Sequence, residues 1–294
     1  METYIDEYTD FMERVCHKSE NTVESYRRDV LQYLTYLKEL GMTDIKKTTK
    51  TTVLSYLLSL KKKGRASSTM SRALASLRSF YLYLLQNGCV DSDPTASLVT
   101  PPVEKKPPKV LSSDEVDILL EQPKLNDSKG IRDKAMLEVL YATGIRVSEL
   151  IGLNVDDVNV QMGFVRCRNL KSERTVPMGH KAVSALKLYM ETGRRALVRD
   201  DEESALFVNC SGSRISRQGF WKVIKHYQHS AGIEKEITPH SLRHSFAAHL
   251  VENGADLQSL KEMMGHADIS STQIYTCFVD EKIRSVYEHA HPRA

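Results

Sequence analysis

The run Thr100-Pro101-Pro102-Val103-Glu104-Lys105-Lys106-Pro107-Pro108-Lys109 constrains this 294-residue chain more than any other feature. Its prolines remove backbone donors and force extended backbone, and its charges resist burial, so no helix or core strand continues through it. The chain is therefore expected to fold as two bodies: one over 1–99, a Pro-rich linker over 100–110 and a second body over 111–294. A hydrophobic content of 41% is enough to give each body its own core.

The first body reads as helices with almost no strand signal. Val23, Tyr26, Val30, Tyr33, Leu34, Leu37 and Leu40 recur at helical spacing, with Asn21 as the expected cap and Gly41 as the stop. Val53 to Leu60 and Ser68 to Gln86 give further helices, and the expected total is four. The second body opens at Ser112, which with Glu115 forms a capping-box pattern. Helices are expected at Arg132 to Ala142, after Gly144, and at Lys181 to Leu197, Ser216 to Ala231, His240 to Asn253 and Asp256 to Met264. Phe164 to Arg168 and Arg174 to Met178 read as a hairpin. The expected fold class is mainly α with a small antiparallel β-sheet in the C-terminal domain.

A net charge of +3 is too small to argue for a nucleic-acid partner by itself. Its distribution says more, since the many Lys and Arg residues between Ser25 and Thr100 face only Asp29, Glu39, Asp44, Asp91 and Asp93. Lys61 to Lys63 alone is an ordinary solvated helix end. The Ser/Thr/Arg mixture that follows, with Arg65, Arg72 and Arg78, suits phosphate and groove contacts. The five cysteines are scattered and never form a C-x-x-C pair, so neither a disulfide framework nor a zinc knuckle is indicated. The acidic start Met1-Glu2-Thr3-Tyr4-Ile5-Asp6 is unlike a signal peptide, and no apolar run reaches membrane-spanning length. A cytoplasmic, non-membrane protein is expected.

Four segments of the second body carry chemistry: Ala142-Thr143-Gly144-Ile145-Arg146-Val147-Ser148-Glu149-Leu150, Pro239-His240-Ser241-Leu242-Arg243-His244, Gly265-His266 and Gln273-Ile274-Tyr275-Thr276. The ordered set of Arg, His-x-x-Arg-His, a further His and a Tyr nine residues beyond resembles the tyrosine recombinases over the whole chain, and is most similar to their Xer group. The resemblance implies a two-domain C-shaped clamp on double-stranded DNA, with a helical core-binding domain and a catalytic domain. It implies no cofactor and no metal. Tyr275 would attack a phosphodiester, form a 3′-phosphotyrosyl ester that stores the bond energy, and release a 5′ hydroxyl. Arg146 and Arg243 suit the nonbridging oxygens, because guanidiniums stay charged and bind them bidentately. His240, three residues before Arg243, assists proton transfer at Tyr275 by resemblance, and His266 donates a hydrogen bond to the phosphate.

In that family a hairpin lysine protonates the leaving oxygen. Relatives carry Gly-Lys-Gly-x-Lys-Glu-Arg, whereas Arg168-Asn169-Leu170-Lys171-Ser172-Glu173-Arg174 lacks both glycines. Lys171 is the candidate, and it matches either the first or the second lysine of the pattern. Arg217, Gln218, Trp221 and Lys222 lie on a plausible groove-facing side of their helix. The resemblance further implies a tetramer, of one chain or with a paralogous recombinase, in which the segment from Asp280 to Ala294 docks into a neighbour; a DNA translocase is a possible activator.

Other readings stand beside these. Arg146 taken singly is a helix-end residue paired with Glu149. His240 and His244 have zinc-binding spacing, which His249 and His266 could complete, but Arg243 between them repels a cation and no H-E-x-x-H is present. His244 itself reads as a structural residue following the arginine. At the level of function the alternatives are a mobile-element integrase of the same family, a type IB topoisomerase, or a non-catalytic DNA-binding protein.

Overall fold

The computed structural model describes residues 3–100, 108–169, 172–265 and 268–275. The backbone separates into two compact units, Met1–Lys106 and Pro107–Ala294.

The first unit holds four α-helices among its described residues: α1 (Thr3–Arg14), α2 (Glu20–Glu39), α3 (Lys50–Lys62) and α4 (Ser67–Gln86). Asn21 lies inside α2, and Ser19 takes the cap position, its hydroxyl 2.8 Å from that of Thr22. The helical repeat of apolar residues is what closes the core: Tyr8 of α1, Val30, Tyr33 and Leu37 of α2, Val53 of α3, and Leu74, Leu77 and Phe80 of α4 are all buried. The buried hydroxyls of Tyr33 and Tyr81 lie 2.9 Å apart, and Tyr81 donates to Thr48 at 2.8 Å, so these polar tips are satisfied inside the core.

The second unit is built around α6 (Ser128–Thr143), which packs against α5 (Ser113–Glu121), α7 (Val147–Gly152), α8 (His180–Leu188) and α11 (Pro239–Glu252). The predicted box caps α5: Ser112 accepts from the Glu115 backbone, and Glu115 accepts from the Ser112 backbone at 2.8 Å. Three strands form an antiparallel sheet in the order β1 (Val158–Asn159), β2 (Phe164–Asn169), β3 (Ser172–Pro177). The β2–β3 register runs from Phe164↔Pro177 to Asn169↔Ser172.

The helix expected over Lys181 to Leu197 is interrupted. A π-turn at Tyr189–Gly193 separates α8 from α9 (Arg194–Leu197). There Tyr189 turns inward, stacks on Phe207 at 5.4 Å and accepts a hydrogen bond from the Val208 backbone. The unit continues with α10 (Arg217–Ser230), α11, α12 (Leu257–Met264) and the short α13 (Ser270–Gln273). No described helix is long and apolar enough to cross a membrane.

Candidate active site

Three helix ends bring the candidate residues together. Gly144 terminates α6 with a left-handed backbone (φ +56), and a Cβ there would lie 2.2 Å from the Phe246 ring of α11. That close approach fits only glycine. It brings the Gly144 carbonyl to α11, where it accepts from Arg243 Nη1. Two residues on, Arg146 caps α7. Its backbone N–H donates to Glu149 at 2.7 Å, and its Nη1 lies 3.3 Å from the same carboxylate. The helix-end pairing is therefore present, but Arg146 also donates from Nη2 to the Gly265 carbonyl at 2.8 Å.

The C-terminal end of α12 is the meeting point. Its last carbonyls each take a different arginine: Met263 from Arg174 Nε at 2.9 Å, Met264 from Arg243 Nη2 at 2.7 Å, and Gly265 from Arg146. Unpaired carbonyls and the helix dipole make such an end attractive to cations. Arg174, on β3, is also held bidentately by Glu149, at 2.7 and 2.9 Å. Glu149 thus joins the hairpin to the start of α7. Burial opposes the charge on Arg174, but those bonds overcome it and hold its pKa above the ordinary value.

Capping by Thr238, with Pro239 in the first turn, starts α11, so His240, Arg243 and His244 share one helical face. Burial lowers the pKa of His240, and the charges of Arg243, Arg217 and Arg146 lower it further. Its imidazole is therefore held neutral among arginines. Arg243, buried at 5% exposure, has its pKa lowered to about 10, by burial first and by Arg146 second. A cluster that disfavours its own positive charge is one in which an arriving phosphate is stabilised.

Tyr275 is only 1% exposed. Its hydroxyl lies 2.6 Å from Nδ1 of His244, not on His240. The contact falls to the second histidine of the helix: His240, one turn earlier, feels the arginines, while His244 meets the phenol. Burial raises the Tyr275 pKa to about 12 against the opposing pull of Arg243, and burial lowers that of His244 to about 4, with His240 and Arg243 adding to it.

Arg146, His240, Arg243 and Tyr275 are thus gathered from separate segments. Lys171 and His266 lie outside the described residues, as does the 280–294 segment. On α10, Arg217, Gln218 and Lys222 are exposed, opposite the buried Phe220, Val223, Ile224 and Tyr227. Trp221 is 47% exposed, so it does not belong to the core. Arg65 is exposed. The guanidiniums of Arg72 and Arg78 are engaged within their own unit, although the Arg72 side chain remains 47% exposed. Arg72 grips buried Asp29 at 2.8 and 3.0 Å, and Arg78 donates to the Leu98 carbonyl and to Thr100. His249 cannot complete a zinc set, since Nδ1 faces the Tyr141 hydroxyl at 2.8 Å and Nε2 the Leu111 carbonyl at 3.0 Å. The sequence offers His244 only as a structural residue after the arginine, Glu149 only as the helix-end partner of Arg146 and Arg174 only as part of the hairpin; their places in the site could be signalled only by the i, i+4 spacing from His240 and the i, i+3 spacing from Arg146.

Comparison with known proteins gives the family. Residues 109–281 match the phage integrase family, and residues 5–88 match the N-terminal SAM-like domain of phage integrases. The tyrosine recombinase XerD of Oceanobacillus iheyensis is 46% identical over 297 residues, covering 100% of both chains. That of Halalkalibacterium halodurans is 47% identical over 278 residues, covering 94% of this chain and 93% of its own. Among solved structures, the XerA recombinase is 29% identical with a TM-score of 0.56, covering 99% of this chain and 100% of that one. The post-cleavage complex of XerH with a palindromic difH substrate has a TM-score of 0.74 at 22% identity, covering 95% and 85%, a likeness of fold. With a family match across the second unit and full-length relatives near half identity, this chain belongs to the phage integrase family, the tyrosine recombinases.

Proposed function

We propose that the chain is a site-specific recombinase that cuts and rejoins duplex DNA, with Tyr275 as nucleophile and Arg146 and Arg243 binding the scissile phosphate. The observation that carries this reading is the convergence of both arginines, His240 and Tyr275 on the region where α6, α11 and α12 meet. In the reaction Tyr275 Oη bonds to phosphorus and the 5′ oxygen leaves, so a 3′-phosphotyrosyl ester conserves the bond for rejoining. The arginines counter charge that grows on the nonbridging oxygens, neutral His240 can donate to the same phosphate, and Lys171 and His266 complete the set as general acid and phosphate donor.

Exposed Arg65, Arg217, Gln218 and Lys222 are the candidate DNA contacts. The family reading extends to a core-binding domain over 1–99, a linker over 100–110 and a catalytic domain over 111–294. It also extends to a tetramer that exchanges strands through a Holliday junction in the cytoplasm, resolving chromosome or plasmid dimers, with a paralogue or a DNA translocase as possible partners.

The test is incubation without metal or ATP on nicked duplexes carrying the recombination sites of the XerD relatives. Wild type is expected to leave a covalent protein–DNA adduct on denaturing gels, and Tyr275→Phe to leave none while still binding. An adduct of undiminished yield in Tyr275→Phe would remove the tyrosine from this role.

A further inference from the structure

We propose that His244 is a catalytic residue that accepts the phenolic proton of Tyr275 as the tyrosine attacks the phosphate. The inference rests on the reading of Tyr275 as nucleophile and goes beyond it, because it assigns the proton to a residue other than His240.

The geometry separates the two histidines of α11. His244 Nδ1 lies 2.6 Å from Tyr275 Oη, a short contact for this donor–acceptor pair. The rings are 5.8 Å apart and tilted by 48°, so they meet through the polar edge rather than by stacking. His240 lies among the charges of Arg243, Arg217 and Arg146, where a neutral imidazole serves the phosphate side. One turn of helix thus divides two tasks between two imidazoles.

Tyr275 is buried to 1% exposure, so bulk water does not bathe its hydroxyl, and the adjacent imidazole is the acceptor at hand. With hydrogen on Nε2, Nδ1 is free to accept. The groups that face this imidazole are His240 and Arg243 from its own helix and Tyr275 from the segment after α13. They keep it neutral in the free protein, and the negative charge of a phosphate arriving beside Arg243 is what favours the imidazolium that the transfer forms.

The step balances as follows. The Oη–H bond breaks and its proton passes to Nδ1, giving an imidazolium. The Oη–P bond forms as the P–O5′ bond breaks, and the 5′ oxygen takes a proton from the general acid assigned to Lys171. Rejoining reverses every transfer, and the imidazolium returns its proton to the phenol.

Two substitutions divide proton transfer from mere placement. His244→Asn offers an amide oxygen near the position of Nδ1, able to accept a hydrogen bond but not a proton. His244→Ala removes both. Single-turnover cleavage of the nicked duplex is measured for each, with binding and circular dichroism followed alongside. Both variants are expected to bind DNA within a few-fold of wild type and to cleave about 100-fold or more slowly, the usual range for losing a general base.

Cleavage by His244→Asn near the wild-type rate would overturn the proposal and leave His244 as a positioning residue. Faster cleavage by His244→Ala would overturn it too, by showing that the contact restrains the nucleophile. A second readout needs no DNA: in NMR of the free protein, Tyr275→Phe is expected to shift the His244 Nδ1 resonance, and an unchanged resonance counts against the contact. If wild type itself gave no adduct, the reading of Tyr275 as nucleophile would fall first, which keeps the two failures apart.

Discussion

At the scale of the residue, Glu149 does more than its place in the sequence suggests. It is 3% exposed in its side chain, it accepts the Arg146 backbone N–H, and it holds the guanidinium of Arg174, itself 14% exposed. Removing one partner of such a pair leaves a buried charge uncompensated, which costs about 3–5 kcal/mol. Glu149→Ala is therefore expected to lower stability by that order in urea unfolding, and to lose cleavage with it. Glu149→Gln keeps the shape and should lose less. The His244 contact carries a pH signature whose sign is fixed. Its pKa falls from 6.5 to about 4, through burial and then through His240 and Arg243, while Tyr275 faces its Nδ1. Between those values the unfolded chain binds more protons than the folded one, so stability drops as pH falls from 6.5 towards 4. His244→Asn should flatten that part of a Tm-against-pH curve, and an unchanged curve would contradict the depressed value.

At the scale of the element, helix ends set the site, and glycine sets two of those ends. Gly144→Ala meets both obstacles at once: a left-handed backbone, and a Cβ 2.2 Å from the Phe246 ring. The strained backbone alone costs about 1–2 kcal/mol. The expected result is a loss larger than that in thermal unfolding, together with slower cleavage, because the Gly144 carbonyl that seats Arg243 must shift; a neutral substitution would show that this seat is not needed. Gly265 is constrained in the same way, with a left-handed φ of +63 and the Arg174 guanidinium 2.7 Å from where a Cβ would stand. Much at this scale was legible. Helical periodicity, the Ser112–Glu115 box and the pairing of Phe164–Asn169 with Ser172–Pro177 can all be read from short-range pattern, since they rest on residues close to each other in the chain. Contacts that join distant segments could not be read in that way. Arg174 on Glu149, 25 residues away, and three arginines on the carbonyls of α12 depend on tertiary closure, and backbone carbonyls carry no sequence signature. The motif named Arg146, Arg243 and Tyr275, but only closure shows that His244, rather than His240, touches the phenol.

At the scale of the whole molecule, charge counted along the chain overstates what is available to a polyanion. The net charge is only +3, so long-range attraction to DNA is weak and affinity must come from local contacts. Arg72 and Arg217 look alike in sequence but differ in employment. Arg72 holds Asp29, which is 3% exposed, with Ser76 donating to the same carboxylate at 2.9 Å. Arg217 stands exposed at the start of α10, near enough to His240 to lower its pKa. Each phosphate contact contributes about 0.9 to the slope of log binding constant against log salt. Arg217→Ala is therefore expected to reduce that slope by about one and leave stability nearly unchanged. Arg72→Ala should leave the slope alone and instead destabilise the first unit by about 1–3 kcal/mol, the cost of leaving a buried polar group short of a partner. Measuring both slopes and both unfolding midpoints in the full chain separates the roles. A reduced slope for Arg72→Ala at unchanged stability would return that arginine to the DNA-facing surface. If both slopes and midpoints move as expected, the same charge serves folding in one unit and binding in the other, according to whether a buried carboxylate has already claimed it.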